Sequence, residues 1–505
     1  MGSDPSTKTT SLGHDAAQIA RGSAIVMAGG IGERALRMLT TWFLSGALGV
    51  VGFGLYAFAT TVVGIIGALA PLGMDAGLTM FGARYRASSE KSRLRGTLLY
   101  GLGTVAISAP VFSLATYGVV RLGWVLSDRP EEAAALMIVS TAIALAAILS
   151  SAVAVLISAK DMVGQALSSQ LAVPAATLGG AAIAVLLNTG THGVLIAFVV
   201  AHGVGALIAL RRVLRQDGSL LANRTVPAEV NLSGLFAYAL PQSFARILYR
   251  ANLWVDILML TALASLTDVG VYRVSVAIAM LGALPVMAST TMFGPVIAEL
   301  VYTKQADRLN QLLGVVTRWL IVIAVPLYAT VLLVPDVVLA LFDDAYQPGA
   351  KALGVLMVGQ AFYVACAPTG AILTNAGHSL LNLLNGLISV GLNIALNLLL
   401  IPDHGIMGAA FASATALSVW SVLRLTQVRI LHKCWPFSWH GAMSVAVIAG
   451  SLGLLHWGLN GQTILVRVSG VVLANLVGLG AFWSFGRTAE DNLVIDRVRA
   501  KIRRD

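Results

Sequence analysis

Charge is what this chain has least of. Asp, Glu, Lys and Arg make up 11% of its 505 residues against a hydrophobic share of 57%, with a mean hydropathy of +0.83, whereas soluble domains run to roughly 25% charged. That scarcity excludes a soluble globular protein. Cysteine is nearly absent too: Cys366 and Cys434 stand alone, in or beside apolar segments and without Cys or His at ligand spacing, so neither a disulfide framework nor a zinc site is expected. His192, His202, His378 and His404 lie at or near the ends of apolar segments with no ligand spacing, and no metal is expected at them. A Walker A pattern is missing, which excludes ATP as the direct energy source. So is a cleavable leader, because MGSDPSTKTTSLGHDAAQIA has no apolar core before a small-residue cleavage site. Its Met-Gly start with Ser6 fits the loose myristoylation pattern, from which a chain with many membrane spans would gain nothing.

What is there is a near-continuous series of apolar windows of about 20 residues, each long enough to cross a hydrocarbon core of about 30 Å. Fourteen spans are expected, at 20–44, 53–80, 97–122, 133–157, 164–187, 192–213, 233–261, 268–298, 310–334, 350–375, 380–401, 405–430, 440–459 and 464–486. The chain is therefore read as an all-α polytopic membrane protein. Alternate connections carry the basic residues: Arg84 to Arg95, Lys160, Arg211 to Arg224, Lys304 and Arg308, Arg424 to Lys433, and Arg487 to Arg504. By the positive-inside rule these segments and both termini face the cytoplasm. The net charge of +10 is then a matter of topology, and the tail RVRAKIRRD touches anionic lipid rather than nucleic acid. The outer connections near 122–132 and 335–349 are too short for catalytic domains, and Asp336, Asp343 and Asp344 in the second read as a solvated acidic loop.

The sequence also repeats. GFGLYAFATTVVGIIGALAPLG (52–73) followed by TMFG (79–82) recurs loosely as VGVYRVSVAIAMLGALPVMAS (269–289) followed by TMFG (291–294), with offsets of 216 at Gly54 and Gly270 and 212 at Thr79 and Thr291. The register pairs span 2 with span 8 and span 1 with span 7. Six spans per half keep both halves in one orientation, a parallel repeat with the substrate site expected between two lobes. The expected organisation is a short N-terminal segment (1–19), an N-lobe (20–213), a linker (214–232), a C-lobe (233–431), a further helix pair (432–487) and a basic tail (488–505).

Against that apolar background the buried charges stand out. Span 1 carries Glu33, Arg34 and Arg37; span 7 carries Arg246, Arg250 and Asp256; Asp75 lies in span 2 and Arg273 in span 8. A charge at mid-membrane costs at least about 2.5–3.5 kcal/mol, so these groups should face one another or a wet cavity. Glu33 and Arg37 have the favourable i, i+4 order and are expected to pair, leaving Arg34 over. Five arginines (34, 37, 246, 250, 273) against three acids (33, 75, 256) leave a surplus of two positive charges, which a dianionic group would balance. Gly29, Gly30 and Gly32 in span 1 and Pro241 in span 7 are expected to interrupt their helices beside the arginines, a sequence pointer to a transporter's site. Other readings compete at single positions. Arg273 fits snorkelling to the interface, Asp75 a helix-terminal role or a pair with Arg84, and the asparagines 375, 382, 385, 393 and 397 interhelical hydrogen bonding as well as contact with sugar hydroxyls. Coupling to a proton or sodium ion would fall to Asp256, Asp75 or Glu33.

Span 1 with its arginines, then Leu-Gly-x-x-Gly-Phe-Gly-Leu-Tyr (48–56), Leu-Gly-x-Asp (72–75) and Ala-Arg-Tyr (83–85) before a basic loop, resembles the bacterial polysaccharide transporters. These are the O-antigen flippase branch of the multidrug/oligosaccharidyl-lipid/polysaccharide exporter superfamily. The likeness covers nearly the whole chain in topology but only residues 30 to 95 as motif. It implies a fold like that of the multidrug and toxic compound extrusion transporters, and movement of an undecaprenyl-pyrophosphate-linked oligosaccharide from the inner to the outer leaflet of the cytoplasmic membrane. It also implies a pyrophosphate site at Arg34, Arg37, Arg246 and Arg250, with membrane lipids, a polysaccharide polymerase and chain-length machinery as partners. Spans 13 and 14 would accommodate the polyprenyl tail. The alternatives are a cation-coupled drug exporter, a lipid II flippase and, from another class, a membrane enzyme of polysaccharide ligation or polymerisation.

Overall fold

A bilayer offers backbone groups no water, so a spanning segment must satisfy its own N–H and C=O groups, and the α-helix does so within one segment. The computed structural model describes residues 5–376, 378–437, 464–481 and 483–484, and all regular structure among them is helical. Side chains before Gly22 and at scattered later positions, Arg246 among them, lie outside the description, as do span 13 of the sequence reading, the basic tail and the first four residues.

The helices are α1 (Pro5–Leu69), α2 (Met74–Ala87), α3 (Lys91–Arg121), α4 (Pro130–Ser158), α5 (Met162–Gln165), a π-helical stretch (Ala166–Ala172), α6 (Val173–Leu186), α7 (Gly190–Ala222), α8 (Leu232–Leu263), α9 (Leu266–Ala279), a 3-10 turn (Met280–Ala283), α10 (Leu284–Tyr302), α11 (Ala306–Leu333), α12 (Pro335–Ala340), α13 (Ala350–Asn375), α14 (Ser379–His432) and α15 (Ile464–Ala481). Nine helices among the described residues are long and apolar enough to cross a membrane. Two of these, of 46 and 53 residues, exceed twice the about 20 residues one crossing needs. Each is divided by a glycine in a conformation closed to other residues, Gly49 (φ 66, ψ 176) in α1 and Gly405 (φ 52, ψ −129) in α14. The joints between spans 1 and 2 and between spans 11 and 12 are thus single-residue kinks.

The repeated segment is also broken in both of its copies. Ala70 to Gly73 form a turn between α1 and α2, and Met280 to Ala283 a 3-10 turn between α9 and α10. Pro71 and Pro285 sit at these breaks, where a missing N–H costs no helical hydrogen bond. The change of offset from 216 to 212 falls across the same stretch.

The chain divides into two units, Met1–Leu258 and Met259–Asp505. In the first, α4 is the central helix, packed against α1, α2, α3 and α7. Its buried face is rich in small residues, among them Ala135, Ser140, Ala142, Ala147, Ser151, Ala152 and Ser158, which let backbones approach where no hydrophobic effect drives association. At the basic end of this unit the charges serve as fasteners. Arg86 bonds both carboxylate oxygens of Asp217, Arg212 and Gln216 donate to Asp161 at 2.8 and 2.7 Å, and Arg95 donates to the carbonyls of Leu220 and Leu221, which α7 leaves without helical donors as it ends, and to that of Val226 in the segment beyond.

In the second unit α13 packs against α9, α10, α11 and α14. The asparagines of α14 take the hydrogen-bonding role: Asn385 and Gln427 exchange bonds of 2.7 and 2.8 Å, Asn397 donates to Asn393, and Asn382 donates to Thr374. Asp336 departs from the solvated loop expected of it. Arg467 of α15 grips it with bonds of 2.7 and 2.6 Å, and Asn475 donates to Thr330 one helix away, so α15 is fastened to α11 and α12.

Candidate functional site

The charged cluster of span 1 resolves into a pair and a remainder. Arg37 Nε donates to Glu33 Oε1 at 2.9 Å, one turn apart on α1, as the spacing predicts. Arg34 is half-buried and makes no hydrogen bond or ion pair among the described residues. Arg37 also lies within electrostatic reach of His202 on α7, whose Nδ1 is 2.9 Å from the Phe198 carbonyl and whose ring packs at 4.4 Å on Phe198. The acid therefore offsets one guanidinium and leaves the other with its full charge in an apolar setting.

The glycines before these residues do not interrupt the helix. Apart from Gly49, α1 is helical throughout, and Gly29 and Gly30 are buried against the π-helical stretch instead. A Cβ on Gly29 would stand 2.2 Å from Gln170 Oε1, and one on Gly30 3.9 Å from Gln170 Nε2. Their function here is close approach, since only a residue without a side chain lets the Gln170 amide lie on the α1 backbone. The π-helix has a local cause. Pro174 lacks the N–H that an α-helix would place on the Gln170 carbonyl, and the hydrogen-bonding pattern widens just before it. Gln170 Oε1 is buried with no hydrogen-bond donor among the described residues. Sequence reasoning missed Gln170; the signal was a proline four residues beyond a glutamine within a membrane span.

On α8, Pro241 likewise lies within a continuous helix. Arg250 is exposed, and its guanidinium carbon stands 5.3 Å from the centroid of the Trp254 ring, one turn on, a cation–π geometry. That ring is seated on Gly64 of α1, where a Cβ would come within 2.3 Å of it. Asp256 is buried, 2% exposed. Asp75 takes the helix-terminal place, in the first turn of α2 with its carboxylate accepting from Ala76 N at 2.9 Å. Arg273 is half-buried on α9, in the second unit. The described residues of the first unit thus hold Glu33, Arg34, Arg37, Asp75, Arg250 and Asp256. Among them are cations suited to an anion, the planar guanidinium fork being matched to phosphate oxygens. No group of three His, Cys, Asp or Glu suited to a metal ion occurs among the described residues.

Comparison with known proteins agrees with the architecture. The family model described as "Polysaccharide biosynthesis protein" matches residues 19–301, and the MatE model matches residues 241–399. The chain is 30% identical over 219 residues to the probable flippase AglR of Haloferax volcanii, which takes in 41% of this chain and 43% of that protein, so the match spans less than half of the curated relative. Among solved structures, the lipid II flippase MurJ in an inward closed conformation superposes with a TM-score of 0.68 at 13% identity, over 91% of this chain and 99% of the other. An inward-facing multidrug resistance transporter of the MATE family superposes with a TM-score of 0.64 at 14% identity, over 81% and 98%. At such identities the likeness is one of fold: an all-α, multi-pass membrane architecture shared with the multidrug/oligosaccharidyl-lipid/polysaccharide exporter superfamily.

Proposed function

Because the chain belongs to the polysaccharide biosynthesis protein family, we propose that it is a flippase, carrying an oligosaccharide linked through diphosphate to undecaprenol from the inner to the outer leaflet of the bacterial cytoplasmic membrane. The observation that carries this reading is Arg34, half-buried beside the Glu33–Arg37 pair and with no partner of its own among the described residues. A diphosphate is the complementary group: it is dianionic, it accepts bidentate bonds from guanidinium, and it is the charged part of a lipid-linked sugar that must pass an apolar core. In this reading Arg34 is the first contact and Arg250 and Arg246 further ones. Arg37, moderated by Glu33, contributes less. Both termini are cytoplasmic, membrane lipids surround the helices, and a polymerase with its chain-length machinery takes up the product. A proton or sodium ion drives the cycle, with Asp256, buried in α8, as the first coupling candidate.

A cation-coupled drug exporter would call for acidic groups facing its cationic cargo, which the surplus of arginine disfavours. A lipid II flippase shares the diphosphate and differs in the sugar, and the MurJ likeness in fold keeps that substrate as the second reading.

The test compares Arg34→Ala, Arg34→Lys, Arg246→Ala and Arg250→Ala per molecule of inserted protein, with lipid-linked oligosaccharide quantified on each leaflet. Lys preserves charge but not the fork, so transport should fall with Lys and fall further with Ala. Asp256→Asn should slow net transport while binding persists. Normal outward movement in all the arginine variants would sink the proposal.

A further inference from the structure

A guanidinium has five N–H donors, and a bidentate grip on phosphate uses only two. The others must find acceptors, and the choice of acceptor decides how much charge is left for the ligand. Glu33 illustrates one choice: it accepts from Arg37 and, being an anion, offsets it. We propose that Gln170 is the other choice, a neutral acceptor that positions Arg34 in the diphosphate site and leaves its charge undiminished. This inference rests on the diphosphate reading above.

Three observations carry it. Gln170 Oε1 is a buried acceptor without a donor, while Arg34 is a donor without an acceptor among the described residues; an unmet buried acceptor costs about 1–3 kcal/mol, so a standing orphan asks for a partner. The two also meet at one level. Side chains on an α-helix lean toward its N-terminus and cover the preceding turn, so Arg34 covers the turn of Gly30, about 6 Å below it, and on that turn the Gln170 amide lies with Nε2 3.9 Å from the ideal Cβ of Gly30 and Oε1 against Gly29 beside it, the two ends trading places when the amide turns over about its last bond. With glycine at 29 and 30, no side chain stands between them. Finally, the π-helix at Ala166–Ala172 sets Gln170 against the α1 backbone at the place where the charge lies, and such insertions gather at functional sites. Its amide oxygen accepts one N–H edge of Arg34 while the opposite edge faces the diphosphate, holding the fork in a fixed plane.

Two near-isosteric variants test it, since both keep the packing on Gly29. Gln170→Met removes the acceptor, and Gln170→Glu makes it an anion that should offset Arg34 as Glu33 offsets Arg37. Binding of farnesyl diphosphate to the full-length protein in nanodiscs is measured with thermal stability followed in parallel. Gln170→Met should weaken binding roughly tenfold or more, about what one hydrogen bond to a charged group carries, and Gln170→Glu further still. Neither should weaken it further in an Arg34→Ala background. Loss of binding that adds to that of Arg34→Ala, or that tracks a fall in melting temperature, would assign Gln170 a packing role and overturn the inference, as would unaltered binding in both variants. If Arg34→Ala itself binds as tightly as the parent, the diphosphate reading fails and this inference falls with it.

Discussion

Arg86 holds Asp217 by both arms of its fork, Nη1 to Oδ1 at 3.0 Å and Nη2 to Oδ2 at 2.6 Å, joining the end of α2 to the end of α7. The Asp217 side chain is 5% exposed, and removing one member of such a pair strands a buried charge at about 3–5 kcal/mol. Arg86→Ala should therefore lower the melting temperature of the purified protein and its abundance in the membrane, and Asp217→Asn added to it should recover part of the loss. Equal stability of Arg86→Ala and the parent would show that the pair contributes nothing.

The clasp between Arg467 and Asp336 makes a forecast about pH. Hydrogen bonding and charge from Arg467 hold the Asp336 carboxyl below its ordinary 3.8. A carboxylate with a depressed pKa stabilises the fold fully above its unfolded value and ceases to do so as pH falls through the lower, folded one. The clasp should accordingly stay closed through neutral and mildly acid solution and open only below 3.8. Spin labels at Leu473 on α15 and Ile323 on α11, both exposed, would report it: a narrow distance distribution in the parent at pH 7 and pH 5, broadened at pH 7 by Asp336→Asn. Broadening of the parent at pH 6 would contradict it.

Orientation is open to direct labelling. Ser89 and Gln347 are exposed, and Cys366 and Cys434 are free and buried. In a background with those two cysteines replaced, Ser89→Cys should be shielded from an impermeant thiol reagent added outside intact cells and Gln347→Cys labelled. Reaction at Ser89→Cys would reverse the positive-inside assignment.

The placement of most described helices is legible from the sequence because apolar length is a direct consequence of bilayer thickness, and the Glu33–Arg37 pair because i, i+4 geometry is local. What escaped depended on groups distant in sequence. The glycines at 29 and 30 looked like points of flexure until the π-helix was seen lying on them; a glycine reads the same whether it frees a backbone or admits a neighbour. The basic loops were read as topology alone, yet Arg86, Arg95 and Arg212 find their partners 51 to 131 residues away. Asp336 likewise reads as a solvated loop acid in the sequence because its partner, Arg467, lies 131 residues on.

The break shared by the two copies of the repeat bears on how a duplicated gene keeps its halves working. Within an unbroken helix, deleting four residues would draw everything beyond it about 6 Å along the axis and turn it by about 40° past a full revolution, moving lipid-facing residues toward the core. The four-residue difference between the copies arises instead in stretches that Ala70–Gly73 and Met280–Ala283 interrupt: 16 residues lead from Gly54 to Ala70 against 10 from Gly270 to Met280, and six from Gly73 to Thr79 against eight from Ala283 to Thr291. The break acts as an expansion joint, letting the helix ahead of it differ in length between the halves without dictating the rotation of the TMFG segment beyond it.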